Sequence, residues 1–479
     1  MASPFTILQQ SPHDLEPCPS APPAAAEPAR ARWVPSRYTI RATTEDERLI
    51  LWNTFTGAMS VFPSAQAARV KAALRKTGIE SRKEGLVGYL AEHGFLVTEG
   101  TNEYRRLQYE IGREQHRADT LQLILLSSED CNFRCTYCYE SFARGTMKPW
   151  VRTAIKRLVG KRLPALKRLS VSWFGGEPLY GFEAIKDLGP FFTETAESAS
   201  LRYSSDMTTN AYLLTPEVAD QLLAWKINEY QITIDGPAEF HDCSRPTRDG
   251  QGTFSTIFAN LKALHERPEP FRATLRVNFD RNNYPHLDSF FDLVARELGD
   301  DQRFKLRFRP VGRWGGPNDA SLDVCGLEEG PEIQQELTRE ARRRGLNVEG
   351  GLKEINRFGS QVCYAARPYN FIVGAEGQLM KCTVLLDAKD YNVVGKISEE
   401  GDLELDTDKM ALWTEPAYES DAKCKKCVVL PLCQGTHCPL IRIEEHQSPC
   451  TSVRLDAKRA LVETQELSRT AKRVSVQAV

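Results

Sequence analysis

The chain has 479 residues, 41% of them hydrophobic and 26% charged, an ordinary globular balance with material for two or three domains. Its formal net charge of -2 gives no field that would recruit nucleic acid or an anionic membrane surface. No apolar run approaches the roughly 20 residues that span a bilayer, and the N-terminus lacks a basic segment followed by an apolar stretch. A cytoplasmic protein is expected, with no nucleic acid and no membrane among its partners.

Residues 1–32 read as a disordered leader, because Pro17 to Pro28 is mostly Pro and Ala and cannot build a core. Residues 33–112 read as a small separate module. Arg37 to Ile40 alternates like a strand, Arg48 to Trp52 gives a second, and Asn-Thr-Phe-Thr-Gly follows as a turn. Ala65–Lys76 and Glu84–His93 have helical spacing, and Gly94–Thr98 closes as a strand. A few strands and helices ending on a short strand suit a winged-helix-like module.

From Leu121 the pattern becomes strand–helix alternation. Strands are expected at Leu121–Leu126, Leu169–Trp173, Tyr203–Thr208, Tyr230–Ile234, Ala273–Phe279 and Lys305–Arg309. Helical stretches lie between them, as at Pro149–Arg162, Pro216–Trp225 and Phe254–His265. Six such units are an α/β pattern and predict a parallel, partial (β/α)6 TIM-like barrel over residues 118–345, with its site at the C-terminal strand ends. Residues 346–479 lose the alternation, carry most of the cysteines and include a charged, helical stretch at 452–472.

Thirteen cysteines are many for a reducing compartment, where clustered thiols bind metal or do chemistry more often than they pair. Three sit at 131–138 and seven at 363–450, while Cys18, Cys243 and Cys325 stand apart. Cys243 reads as an inert thiol near the barrel mouth. Cys131-Asn-Phe-Arg-Cys135-Thr-Tyr-Cys138 follows the first barrel strand directly, on the loop above the mouth. Thiolates suit zinc or iron–sulfur clusters. A structural zinc site takes four ligands, and no fourth Cys or His is nearby. Three cysteines on a four-iron cluster instead leave one iron open, which chemistry needs.

CNFRCTYC resembles the CxxxCxxC motif of the radical S-adenosylmethionine (SAM) superfamily. The resemblance implies that Cys131, Cys135 and Cys138 hold a [4Fe–4S] cluster whose open iron chelates SAM, so that reductive cleavage yields a 5′-deoxyadenosyl radical. An external donor such as flavodoxin or ferredoxin would supply the electron. Tyr137 matches the aromatic position near adenine. Gly175-Gly176-Glu177-Pro178 ends strand two and resembles the segment that receives the methionine amino group. Its glycines admit close backbone approach to a ligand. Thr209 and Asn210 end strand three, and Arg276 and Asn278 on strand five resemble SAM-contacting positions. All four also read as ordinary turn or strand-end residues. Asp235 ends strand four. It reads as a base, as in sulfatase-maturing enzymes, or as an Asp-Gly turn capping the strand, and the turn is favoured.

Cys363, thirteen residues, Gly377, four residues and Cys382, then Cys424-Lys-Lys-Cys427, Cys433, Cys438 and Cys450, resemble the seven-cysteine SPASM domain. One or two structural zinc sites are the competing reading. The spacing departs by one residue between Cys433 and Cys438. The family pattern implies two auxiliary [4Fe–4S] clusters, one on Cys424, Cys427, Cys433 and Cys450, the other on Cys363, Cys382 and Cys438. The second group is one thiolate short. Cys325, a carboxylate or other side chain, or a substrate cysteine is expected to complete it.

Residues 33–112 resemble the peptide-recognition domain fused to maturases of ribosomally made peptides, where an edge strand recruits an extended peptide. A structural cap on the barrel is the competing reading. The resemblance implies a maturase that takes a hydrogen atom from a precursor peptide and closes a thioether or carbon–carbon crosslink with two-electron oxidation. The alternatives are a sulfatase-type maturase forming formylglycine, and a non-catalytic iron–sulfur electron carrier or peptide chaperone.

Overall fold

The computed structural model describes residues 31–74, 78–299, 301–326, 328–349, 355–386, 390–454 and 456–462. The body of the expected leader, with Cys18, lies outside these residues. So does the end of the C-terminal stretch, of which 452–454 and 456–462 are helical.

Strand β1 (Ala31–Pro35) starts inside the segment assigned to the leader. It pairs antiparallel with β5 (Ile79–Ser81) and β6 (Leu96–Thr98). A second antiparallel sheet has β2 (Thr39–Thr43), β3 (Leu49–Asn53) and β4 (Met59–Phe62) in sequence order. The strand expected from Arg37 begins only at Thr39. The Ser36 hydroxyl (2.5 Å) and the Arg37 N–H (2.9 Å) donate to the Glu103 carboxylate, which holds this stretch as a turn. Helices α1 (Ser64–Ala73), α2 (Gly85–Glu92) and α3 (Glu103–Gln115) complete the module.

Strand β3 is buried along its whole length. Leu49 and Leu51 face the module's own core with Val70, Leu90 and Phe95. Ile50 and Trp52 face the other way, against Val429, Leu432, Val453 and Leu461 of the C-terminal segment. The run RLILW is therefore apolar on both faces because both faces are covered. Each such side chain contributes roughly 1.5–3 kcal/mol relative to exposure. The module thus packs on the C-terminal cysteine segment.

The expected alternation forms β7 (Thr120–Ser128), β8 (Arg168–Gly175), β9 (Arg202–Thr209), β10 (Ile227–Thr233), β11 (Arg272–Phe279) and β12 (Phe304–Pro310). All are parallel and lie side by side in chain order. Helices α4 (Pro149–Arg162), α5 (Phe182–Ser198), α6 (Pro216–Ala224), α7 (Ala238–Ser244), α8 (Phe254–His265) and α9 (Leu287–Leu298) lie in the crossovers. In α9 the buried Leu287, Phe290, Phe291, Val294 and Leu298 recur at helical spacing, which fixes its inward face. In the strands, Leu169, Val171 and Trp173 join the core under the helices. On the other face Ile124, Leu126 and Phe174 are apolar, and other alternate residues are polar and pair. Ser172 donates to Asp206 (2.8 Å), and Arg307 donates to Gln231 (2.8 Å) and pairs with Glu349.

The sheet does not stop at six strands. β13 (Asn370–Val373) lies parallel beside β7, with Asn370 opposite Gln122 and Val373 opposite Leu125. β14 (Gln378–Met380), β15 (Val393–Ile397) and β16 (Leu403–Leu405) follow antiparallel, giving one ten-stranded sheet. The central parallel sheet with flanking helices is the α/β architecture expected. Its continuation into the cysteine-rich segment is not foreseen by the alternation. Among the described residues no helix is long and apolar enough to cross a membrane.

Candidate active site

Cys131, Cys135 and Cys138 lie on the loop that leaves β7. This loop is tied to the segment after α7: the Arg134 N–H donates to the Pro246 carbonyl, the Thr136 N–H to Ser244 and the Arg248 N–H to Asn132, each at 2.9 Å. Phe133, buried, stands edge-on to Tyr212 and anchors the loop between the cysteines. All three thiols line one cleft of about 950 Å³, its open mouth included. Burial raises the pKa of each thiol, that of Cys138 up to about 12, and neighbouring thiols add to the rise at Cys131 and Cys138.

The same cleft is lined by Tyr137, Gly175, Gly176, Thr209, Asn210, Arg276 and Asn278. Seven of the positions singled out in the sequence therefore meet the three cysteines. Glu177, Pro178 and Asp235 do not line it. The Glu177 carboxylate, fully buried, accepts from the Leu179 N–H (2.9 Å), the Thr209 hydroxyl (2.7 Å) and the Asn210 N–H (2.7 Å). It locks the end of β8 to the end of β9. Asn210 in turn donates to Asn132 (2.8 Å) inside the cysteine loop.

The two glycines also have a reason within the fold. A Cβ on Gly175, which has φ +122°, would stand 2.1 Å from the Ser128 carbonyl oxygen. One on Gly176 would stand 2.6 Å from the Asp130 carbonyl oxygen and 3.1 Å from Cβ of Cys131. The backbone they admit is that of the cysteine loop itself.

Asp235 is wholly buried, and its carboxylate accepts from the Tyr137 hydroxyl and from the Asn278 N–H (3.0 Å). Burial raises its pKa, against the pull of Arg245. The strand-capping reading fits this geometry, and the carboxylate also orients Tyr137. Arg245 is a residue the sequence reading missed. It is buried, lines the cleft and donates to the Tyr137 hydroxyl (2.8 Å), which also accepts from Asn278 (3.0 Å). A lone Arg two residues after Cys243 carries no motif that would have marked it. Tyr139 was likewise missed. Its hydroxyl donates to the Thr383 carbonyl (3.3 Å), next to Cys382.

The twelve described cysteines are all free thiols. The thiol of Cys433, pushed up to about 12 by burial, is raised further by Cys427, Cys424 and Cys450, which mark one group. Cys363 and Cys382 are both raised by burial, Cys382 further by Cys363 and Cys438 and Cys363 further by Cys438, which marks a second. Cys325 follows β12, beside Glu329, Arg281, Asp280 and Asp323.

Among the described residues no group of three or more His, Cys, Asp or Glu is arranged to hold a single metal ion. The three loop thiols stand around a cleft roomy enough for a larger group, and three soft donors with one side open are the donor set of an iron–sulfur cluster with a free iron.

Residues 125–294 match the profile of the radical SAM superfamily. The chain is 25% identical over 237 residues to the radical SAM cyclopropyl synthase TigE of Paramaledivibacter caminithermalis, which covers 45% of this chain and 49% of that protein. It is 28% identical over 340 residues to the cysteine-type anaerobic sulfatase-maturating enzyme of Clostridium novyi, covering 65% of this chain and 86% of that protein. The first curated relatives are thus matched over about half their length. Native anSMEcpe with bound AdoMet and Cp18Cys peptide shares the fold, with a TM-score of 0.52 at 18% identity over 74% of this chain and 99% of that one. A radical SAM domain implies a [4Fe–4S] cluster and SAM, and the thiols and cleft described above fit both.

Proposed function

We propose that this protein is a radical SAM maturase of a ribosomally made peptide, closing a thioether or carbon–carbon crosslink. Cys131, Cys135 and Cys138 would hold the SAM-binding cluster. The two C-terminal thiol groups would hold auxiliary clusters in a SPASM-type domain, and residues 33–112 would be a winged-helix-like docking domain for the peptide. Bound together, the cluster and SAM supply a 5′-deoxyadenosyl radical that takes a hydrogen atom from substrate. Glu177 holds the ends of β8 and β9 rigid, Arg245 and Asp235 fix Tyr137, and Tyr137 offers its ring to the cleft.

One observation carries the oxidative part of this reading. The loop that bears Cys138 reaches, through the Tyr139 hydroxyl, the carbonyl next to Cys382. Losing a hydrogen atom and forming a bond leaves the substrate one electron in excess, and an acceptor beside the cleft disposes of it. An electron carrier or chaperone needs no such cleft. Formylglycine formation is the second reading, favoured by the length of the match to the Clostridium novyi enzyme. It is also a two-electron oxidation, and it needs a base other than the engaged carboxylate of Asp235.

The test is anaerobic co-expression with short peptides encoded beside the gene, read by mass spectrometry. A loss of two hydrogens per modification, mapped to two linked residues and abolished by Cys135→Ala, is the expected outcome. Unchanged peptides, with a sulfatase-derived peptide converted to formylglycine instead, would replace this reading with the second.

A further inference from the structure

At the other end of the barrel a second cavity, about 740 Å³ with its open side included, lies under the starts of β7, β8 and β13. The length of β7, roughly 25 Å at 3.3 Å per residue, separates it from the cysteine cleft. Three arginines and one glutamate line it. Arg117 is matched, by Asp119 at 3.1 Å and Glu114 at 3.4 Å. Those two acids are then engaged.

Arg168 is not matched. Its Nε is buried without a hydrogen-bond partner. The charges that act on it most are two other cations, Arg117 and Arg202. Arg367 stands exposed at the rim. Asn370, at the start of β13, is 0% exposed, and neither Nδ2 nor Oδ1 has a partner. A buried amide left so costs about 1–3 kcal/mol, and a buried guanidinium N–H left so, on a group that cannot shed its proton, adds to the cost. An unmatched guanidinium N–H beside an amide donor, with a second guanidinium at the rim, is the chemistry that recognises an oxyanion.

We propose that this cavity binds a small free oxyanion, a phosphate or a carboxylate, held by Arg168 and Arg367 with the Asn370 side chain donating to it. The amide oxygen of Asn370 takes an O–H, which hydrogenphosphate carries and a carboxylate lacks. Val362 and Gln434 line the same cavity and adjoin Cys363 and Cys433. A bound anion therefore adds negative charge beside both C-terminal thiol groups. The proposal stands apart from the radical chemistry and does not depend on it.

The test is calorimetric titration of the full-length, anaerobically loaded protein with inorganic phosphate and, separately, with succinate. Saturable binding of at least one anion at one site per chain is expected. Phosphate alone assigns a phosphate-bearing ligand, and succinate alone a carboxylate. Arg168→Met and Asn370→Asp should each raise Kd at least tenfold, about 1.4 kcal/mol, while Arg168→Lys retains part of the affinity. Asn370→Asp should also raise Tm without anion, by placing a carboxylate beside Arg168. Cluster absorbance like that of the parent certifies that each variant is folded. Saturable binding of neither anion, or parental affinity in both Arg168→Met and Asn370→Asp, overturns the proposal.

Discussion

His241 is a buried base in the wall behind the site. Its Nδ1 accepts from the Asp235 N–H, and Nε2 meets the Thr253 hydroxyl, both at 3.1 Å. Burial, and then the cation of Arg245, hold its pKa well below the usual 6.5. Protonating Nδ1 would also set one N–H against another. Below about pH 6.5 the unfolded chain binds a proton that the folded chain refuses, so this residue's stabilisation falls as pH falls. The loss is up to about 1.4 kcal/mol per pH unit until the folded pKa is reached. The His241→Asn variant is expected to be less stable at neutral pH, with the gap to the parent narrowing on acidification. His437, also depressed by burial, is common to both proteins and cancels. Denaturation midpoints of the pair between pH 7 and about 5 check this, and a constant gap would sink it. At this scale the cysteines were legible because thiol spacing is itself the signal. Arg245, Tyr139 and Asn370 were not, since each acts through partners far away in sequence.

The end of β8 is shaped by the backbone it packs against. Ser128 and Asp130 put their carbonyl oxygens where Gly175 and Gly176 would carry side chains. Gly175→Ala and Gly176→Ala are expected to displace the cysteine loop, at a cost on the order of 1–3 kcal/mol for overpacking. Iron bound per chain after anaerobic reconstitution is the measurement. Both variants should load less than the parent, and a Gly176→Ala protein with full iron content would show that the loop yields freely. Alternation found all six parallel strands, because each is followed by a helix that covers one of its faces. It missed β13 to β16, which span only three to five residues each. Their order depends on β7, laid down much earlier in the chain. It also read Arg37 as strand, where a carboxylate from α3 captures the turn.

For the whole molecule, the shared sheet decides which parts can stand alone. Ile124, Leu126 and Phe174 pack with Ile372 and Met380 across the β7–β13 seam. A chain ending at residue 345 bares that cluster together with the hydrogen-bonding edge of β7, and exposed edges pair with other chains. Expression of residues 31–345 is expected to give aggregate. A monomeric fragment by light scattering, cleaving SAM at the parental rate, would refute this. The N-terminal module is joined just as firmly. Arg37 donates to the Lys425 carbonyl and Thr54 to the Val428 carbonyl, so both ends of the Cys424–Cys427 segment are gripped by a module whose own sequence precedes the barrel. Metal binding to thiols is coupled to the folding of the segment that bears them. On the function proposed above, iron supply and peptide recruitment would be wired in series: a chain starved of iron would slacken the grip on its own N-terminal module, and only a loaded chain would compete for its peptide.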